Sequence, residues 1–276
     1  MRMIIKRNKM SNSKLKFIPS SSQLGRLMGG VNSKGEGKAG DIGKAGETYV
    51  WEVFCANELG VKPVASSKQM AKGNMVEEKS LTLYSSVSNS FLEKNTTRYY
   101  DDFMHGEPDA FKKEGQRKVV VDVKSSFTRD TFLRAESPMR ARSIGSYGWQ
   151  LISYMLLTDC DAAELAYCFI NTPEMIVNDE VRRLWYNMAM DEDLETEQDQ
   201  EDRQEQYERA EAQIRLLHSE EGMTERQRVK RYRINLENPD KFADIIENRV
   251  LAANTLYLKY LEEWKKQEEY NGIYSI

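Results

Sequence analysis

Apolar and polar positions along this chain follow two periods, and the places where the period changes outline its elements. Residues 22–28, after Pro19 and a run of serines, read as a helix capped by Ser22, with Leu24, Leu27 and Met28 for burial and Gly29 and Gly30 to end it. Residues 47–59 place Tyr49, Val50, Val53, Phe54 and Ala56 at helical spacing before Gly60. In a third helix, 68–87, Glu77 shares a stripe with Leu81, Tyr84 and Ser88, while Glu78 falls with Thr82 and Ser85. Glu77 is therefore expected to face the body of the protein and Glu78 to face away. The spacing then shortens. Residues 97–104 (Tyr99, Tyr100, Phe103) and 106–111 read as strands, 113–116 as a hairpin turn, and 118–126 (KVVVDVKSS) as a β-branched strand.

Residues 129–142 are basic and too irregular for a helix. Helical spacing resumes at 146–158, where Tyr147, Gln150, Leu151, Tyr154 and Met155 share a face; a buried Gln150 would need partners. Residues 165–170 form a further strand, stopped at Thr172 and Pro173. The resulting order is α-β-β-β-α-β. Residues 178–217 read as one long or two paired surface helices, 226–236 as a returning strand, and 239–269 as a last helix with Phe242, Ile245, Ile246, Val250, Leu256 and Leu261 for burial. That helix has no sustained heptad, and the chain has no internal repeat.

Composition narrows the class. With 276 residues the chain can bury a sizeable core, and its 40% hydrophobic and 30% charged content suits long exposed helices. No apolar run approaches the ~20 residues of a membrane helix, and the first ten residues lack the apolar stretch of a signal peptide. A cytoplasmic location is expected, with Cys55, Cys160 and Cys168 as reduced thiols. Three cysteines are too few for an all-cysteine zinc or iron–sulfur site. A net charge of −4 argues against a general nucleic-acid coat, but the charge is uneven. Ten Lys/Arg face three acids up to residue 48, whereas residues 191–211 hold eleven acids and two arginines. The basic glycine-rich stretch 31–46 fits no phosphate-loop register and reads as a flexible loop. Arg129, Arg134, Arg140 and Arg142 could equally be solvated or face DNA.

On the strand at 118–126, side chains alternate between faces, so Val119, Val121 and Val123 share one side and Val120, Asp122 and Lys124 the other. An acid and an ammonium on an otherwise buried strand either satisfy each other or serve chemistry. Pro108 and Asp109 lie on the preceding hairpin strand, Glu77 on the helix before it and Gln150 on the helix after. With these elements in order, the sequence resembles the PD-(D/E)XK nuclease superfamily and, within it, the phage lambda exonuclease or YqaJ-type viral recombinase family. Residues 73–77 (GNMVE) are similar to that family's G-x-x-x-E helix, and 150–155 (QLISYM) to its glutamine-led helix. Ser22 falls near its 5′-phosphate site, and 231–236 (RYRINL) with the terminal helix resemble its closing strand and helix. The similarity spans residues 18–172 and 224–265.

The resemblance implies a restriction-endonuclease-like α/β (α+β) fold: a mixed central sheet flanked by helices, with a helical C-terminal extension. It divides the chain into a flexible basic N-terminus (1–18), a nuclease core (19–176), an acidic helical insertion (177–223) and a closing strand and helix of the same domain (224–276). Asp109 and Asp122 would share Mg²⁺, with Mn²⁺ able to substitute, aided by the Val123 carbonyl and by Glu77 from the helix side. Lys124 would orient water or stabilise developing charge, and Gln150 would position the site. Ser22, Arg26, Arg129, Arg134, Arg140 and Arg142 are the expected DNA contacts. The implied activity is 5′-to-3′ resection of double-stranded DNA ends for single-strand annealing recombination, by a ring-shaped homotrimer with a partner annealing protein. The acidic stretch 191–211 has no counterpart in the family, and two positions depart from its pattern. Asp122 stands where glutamate is commoner. Glu107 replaces a serine, and could repel a 5′-phosphate or join the metal site. A selective endonuclease on the same fold and a non-catalytic DNA-end protein are the alternatives. An all-helical scaffold leaves the strands unexplained.

Overall fold

The structure, a computed structural model, describes residues 14–29, 42–62, 67–140, 143–189 and 197–271. A 3-10 helix (Ser21–Leu27) leads to α1 (Lys44–Glu58) and α2 (Lys68–Ser88). Strands β1 (Glu93–Lys94), β2 (Tyr99–Tyr100), β3 (His105–Gly106), β4 (Ala110–Glu114) and β5 (Arg117–Ser125) follow. Next come α3 (Arg129–Arg134), β6 (Met139–Arg140), β7 (Ser143–Ile144), α4 (Ser146–Thr158) and β8 (Ala162–Cys168). The chain closes with α5 (Glu174–Ala189), α6 (Glu197–His218), a 3-10 turn (Glu225–Arg228), β9 (Val229–Ile234) and α7 (Pro239–Asn271).

The valine run sits where its composition requires. In the five-stranded sheet, ordered β1-β4-β5-β8-β9, β5 is the central strand. It runs parallel to β8 and antiparallel to β4, and α4 supplies the crossover that a parallel pair needs. Both faces of β5 are covered, so Val119, Val120 and Val121 are all fully buried. From one side α2 packs Val76, Leu81, Leu83 and Tyr84 against Val121, Val123 and Ala166. From the other, α4 packs Leu151, Tyr154 and Met155 against Val120, Ala163 and Leu165. A third cluster joins the 3-10 helix, α1 and α7 through Leu24, Phe54, Ile246 and Tyr257. The expected mixed sheet flanked by helices is present, and its long last helix is α7.

Several expected elements differ. The strand at 97–104 is only the β2 pair, because the Asp101 carboxylate accepts from the Phe103 and Met104 amides and turns the chain back into β3. The strand at 106–111 is likewise two pieces. Pro108 has no N–H for a ladder, so β3 stays in the small β2–β3 sheet and β4 begins at Ala110. The stretch 129–142 is not irregular throughout, and its residues 141 and 142 lie outside the described residues. Thr128 and Thr131 form a capping box that starts α3, and Met139 and Ile144 pair in a β6–β7 hairpin. The first helix is 3-10, and its N-cap is Ser20 rather than Ser22. The second begins at Lys44, inside the stretch expected as a loop; residues 31–41 of that stretch lie outside the described residues. The acidic stretch forms two packed helices, α5 and α6, with Arg215 of α6 bonded to Glu211 and reaching Glu174 and Asn178 on α5. Cys160 and Cys168 are buried free thiols, and Cys55 is half-buried. Among the described residues no helix is long and apolar enough to cross a membrane.

One charged cluster lies on the α2 face of the sheet. Glu164 of β8, 2% exposed, accepts from the Tyr84 hydroxyl at 2.8 Å, from Lys112 Nζ at 2.8 Å and from Arg231. Burial alone would raise its pKa; the hydrogen bonds from Arg231, Lys112 and Tyr84 outweigh that and hold it below the usual glutamate value.

Candidate metal and catalytic site

The β4–β5 ladder stops at Ala110 opposite Val121, so β5 continues past the end of its neighbour. The Val123 N–H has no strand partner on that edge, and Asp109 Oδ2 accepts it at 2.7 Å. In an extended strand the N–H and C=O of one residue point the same way, which aims the Val123 carbonyl at the same open edge. Asn95 holds the turn that brings Asp109 there. Its amide donates to the Asp109 carbonyl at 3.0 Å, and its side chain donates to the Pro108 carbonyl at 2.8 Å.

On the α4 face, Asp122 is 1% exposed. Lys124 donates to its Oδ1 at 3.1 Å and lies 2.8 Å from its Oδ2. Gln150 Nε2 donates to Oδ1 at 3.4 Å and to the Tyr154 hydroxyl at 2.9 Å, and that hydroxyl donates to the Glu107 carbonyl at 3.2 Å. This chain ties α4 to the turn before β4. Oδ2 of Asp122, despite the nearby ammonium, is a buried acceptor with no hydrogen-bond donor. Burial and then the charge of Asp122 push the Asp109 carboxyl up to about 7, with Lys124 and the Val123 N–H opposing. Burial disfavours the Lys124 ammonium, but Asp122 and Asp109 outweigh it and hold the pKa above the usual lysine value.

Asp109, Asp122, Val123, Lys124 and Gln150 are therefore brought together as the sequence suggested. Glu77 stands at the border. Its side chain is 44% exposed against 73% for Glu78, and its carboxylate lies 3.7 Å from Lys94 Nζ. It is near enough for its charge to raise the Asp109 pKa. Among the described residues no three Asp, Glu, His or Cys side chains converge closely enough to hold a metal ion by themselves. What the site offers is an open set of hard oxygens, with surplus negative charge and one orphaned buried acceptor. That donor set suits Mg²⁺ or Mn²⁺ far better than a thiolate-seeking metal.

The expected DNA contacts separate into two groups. Arg26 is held bidentately by Glu52 at 2.6 and 2.9 Å and stacks over Tyr49, so its charge is already matched. Arg129 donates to the carbonyls of Ser219 and Glu221 at 2.7 Å each and braces the end of α6. Ser22 is exposed; the buried serine is Ser21, which donates to the His105 carbonyl at 3.0 Å. A Cβ at Gly106 would lie 2.2 Å from Ser21 Oγ and 2.7 Å from the Tyr154 ring, so that close approach requires glycine. Arg134 and Arg140 are open to solvent and, among the described residues, paired with Asp130 and Glu136. Arg142 lies outside the described residues. The Glu107 carboxylate points away to Arg98, at 3.5 Å. Sequence reasoning missed Asn95 and Lys94, because β1 is too short to leave a pattern.

No family model matches the chain, and no curated protein matches it. Among solved structures it is similar to a phage-related exonuclease from Haemophilus somnus 129PT, with a TM-score of 0.65 and 21% identity over 90% of this chain and 96% of that one. It is also similar to an alkaline exonuclease from Laribacter hongkongensis, with a TM-score of 0.54 and 11% identity over 93% and 95% of the two chains. A complex of that enzyme with dAMP gives a TM-score of 0.55 and 12% identity over the same shares, 93% and 95%. The chain has the fold of these proteins.

Proposed function

We propose that this chain is a divalent-cation-dependent deoxyribonuclease that degrades double-stranded DNA from its ends, 5′ to 3′, with Mg²⁺ as the ion and Mn²⁺ able to replace it. The observation that carries this reading is the Asp109–Asp122 pair, a half-buried and a fully buried carboxylate beside a single ammonium at the open edge of β5, with Asp122 Oδ2 accepting no hydrogen bond. Asp109, Asp122 and the Val123 carbonyl would hold the ion, with Glu77 on α2 able to exchange its loose contact with Lys94 for the same role. When bound, the ion supplies Lewis acidity and offsets charge on a scissile phosphate. Lys124, a quarter exposed, keeps its proton and presents N–H groups to a phosphate oxygen or to water. Gln150 and Tyr154 fix the Asp122 carboxylate against the turn that carries Asp109. The shared fold with proteins described as exonucleases supports attack at ends over internal cutting. Direction, a role in annealing recombination, a ring-shaped homotrimer and an annealing partner are supported by the motif resemblance alone.

End-labelled linear duplex and covalently closed circular DNA, each incubated with the protein and Mg²⁺, test this reading. Release of label from the 5′ end of the linear form, with the circle left intact, is the expected result. Nicking or linearisation of the circle would replace it with an endonuclease, and no cleavage of either would leave a DNA-end binding protein.

A further inference from the structure

Residues 93–97 run along the rim of the site and touch two of its acids from outside. β1 is a two-residue edge strand, paired antiparallel with β4 as Glu93 with Phe111 and Lys94 with Ala110. One step further Asn95 meets Asp109, whose carbonyl accepts the Asn95 N–H at 3.0 Å. The Asn95 side chain then makes two kinds of contact. Its Oδ1 accepts the Thr97 N–H at 3.1 Å and its Nδ2 donates to the Thr97 carbonyl at 2.8 Å, which closes a local turn. The same Nδ2 also donates to the Pro108 carbonyl at 2.8 Å, thirteen residues along the chain. Asn95 thus grips the carbonyls on both sides of the Asp109 Cα. The carboxylate of Asp109 is left aimed at β5, where Oδ2 accepts the Val123 N–H at 2.7 Å. Lys94 meets the other acid. Its Nζ lies 3.7 Å from the Glu77 carboxylate and pairs with Glu78.

These neighbours act on the site with opposite sign. An amide clamp that fixes Asp109 near Asp122 favours a cation held by both carboxylates, as partners behind a ligand do in metal sites generally. An ammonium beside Glu77 offsets its charge and competes with any cation for it. We propose that the strap 93–97 tunes the metal centre through two positioning residues: Asn95 holds Asp109 in place for the ion, and Lys94 holds Glu77 back from it. The proposal rests on the metal-dependent reading above, and it assigns control of ion affinity to residues that carry none of the chemistry.

Two measurements on the full chain test it: deuterium exchange at the Val123 amide without metal, and calorimetric titration with Mn²⁺ at low ionic strength. Asn95→Ala and Asn95→Ser both speed Val123 exchange about tenfold, because Asp109 is no longer held against that N–H. The Asp122 and Lys124 amides, which alternate toward β8, keep their rates. Both variants bind Mn²⁺ about tenfold more weakly. Serine keeps an acceptor for the Thr97 N–H but falls short of the Pro108 carbonyl, so it separates the clamp from the local turn. Lys94→Gln leaves Val123 exchange unchanged and binds Mn²⁺ about threefold more tightly, a gain that shrinks as salt is added. General loosening of the strap would instead weaken binding in all three variants. Wild-type exchange and affinity in Asn95→Ser, or no tightening in Lys94→Gln, overturns the proposal and leaves the metal centre standing. A wild type that binds no Mn²⁺ removes the metal centre, and the proposal with it.

Discussion

Lys124→Ala is expected to lower the rate of linear-duplex digestion by about 10²–10³, the usual cost of removing one donor aimed at developing charge. Asp122→Asn, which keeps shape while removing the buried charge, is expected to abolish measurable digestion and to leave the fold intact. The two variants separate in stability. Removing Lys124 leaves the buried Asp122 and the half-buried Asp109 without their ammonium, so this variant unfolds at lower denaturant in chelator, and Mg²⁺ restores more stability to it than to wild type. Digestion by either variant at the wild-type rate would remove these residues from the chemistry.

The second large effect concerns stability. Glu164→Ala leaves the Tyr84 hydroxyl buried without its acceptor and the buried Lys112 with Glu114 alone, and removes the carboxylate that Arg231 holds. Truncating one member of such a network costs about 3–5 kcal/mol, which thermal or urea unfolding would register directly. The pH dependence has a definite sign. Glu164 has a folded pKa below its unfolded value near 4.5. Its contribution is full above that value and is lost as pH falls through the lower folded one. Wild type therefore loses stability across that acidic window more steeply than Glu164→Ala. An unchanged unfolding midpoint in the variant would contradict the account of this cluster.

These two carboxylates also mark how far the sequence could be read. Alternation along β5 was enough to put Asp122 and Lys124 on one face, and the motif order brought Asp109 and Gln150 to them. Glu164 gave no such signal, because its partners Lys112 and Arg231 lie 52 and 67 residues away and meet it only through sheet register. Lys72 escaped for the same reason. A residue type that favours water is fully buried on α2, with its ammonium on the Phe127 carbonyl and over the Phe169 ring. Arg26 and Arg129 resembled DNA contacts until Glu52 and the Ser219 and Glu221 carbonyls, distant in sequence, proved to hold them. Proline at 108 explains the broken strand at 106–111 in retrospect, since a residue with no N–H cannot continue its ladder.

The central claim is that Asp109 and Asp122 form a metal centre. Calorimetric titration of Mg²⁺ and Mn²⁺ into the metal-free protein tests it most directly, with Asp109→Asn as the comparison. Saturable binding of both ions to wild type, lost in Asp109→Asn while its circular dichroism is unchanged, is the predicted result. Absence of binding to wild type, or equal binding by the variant, would contradict the claim.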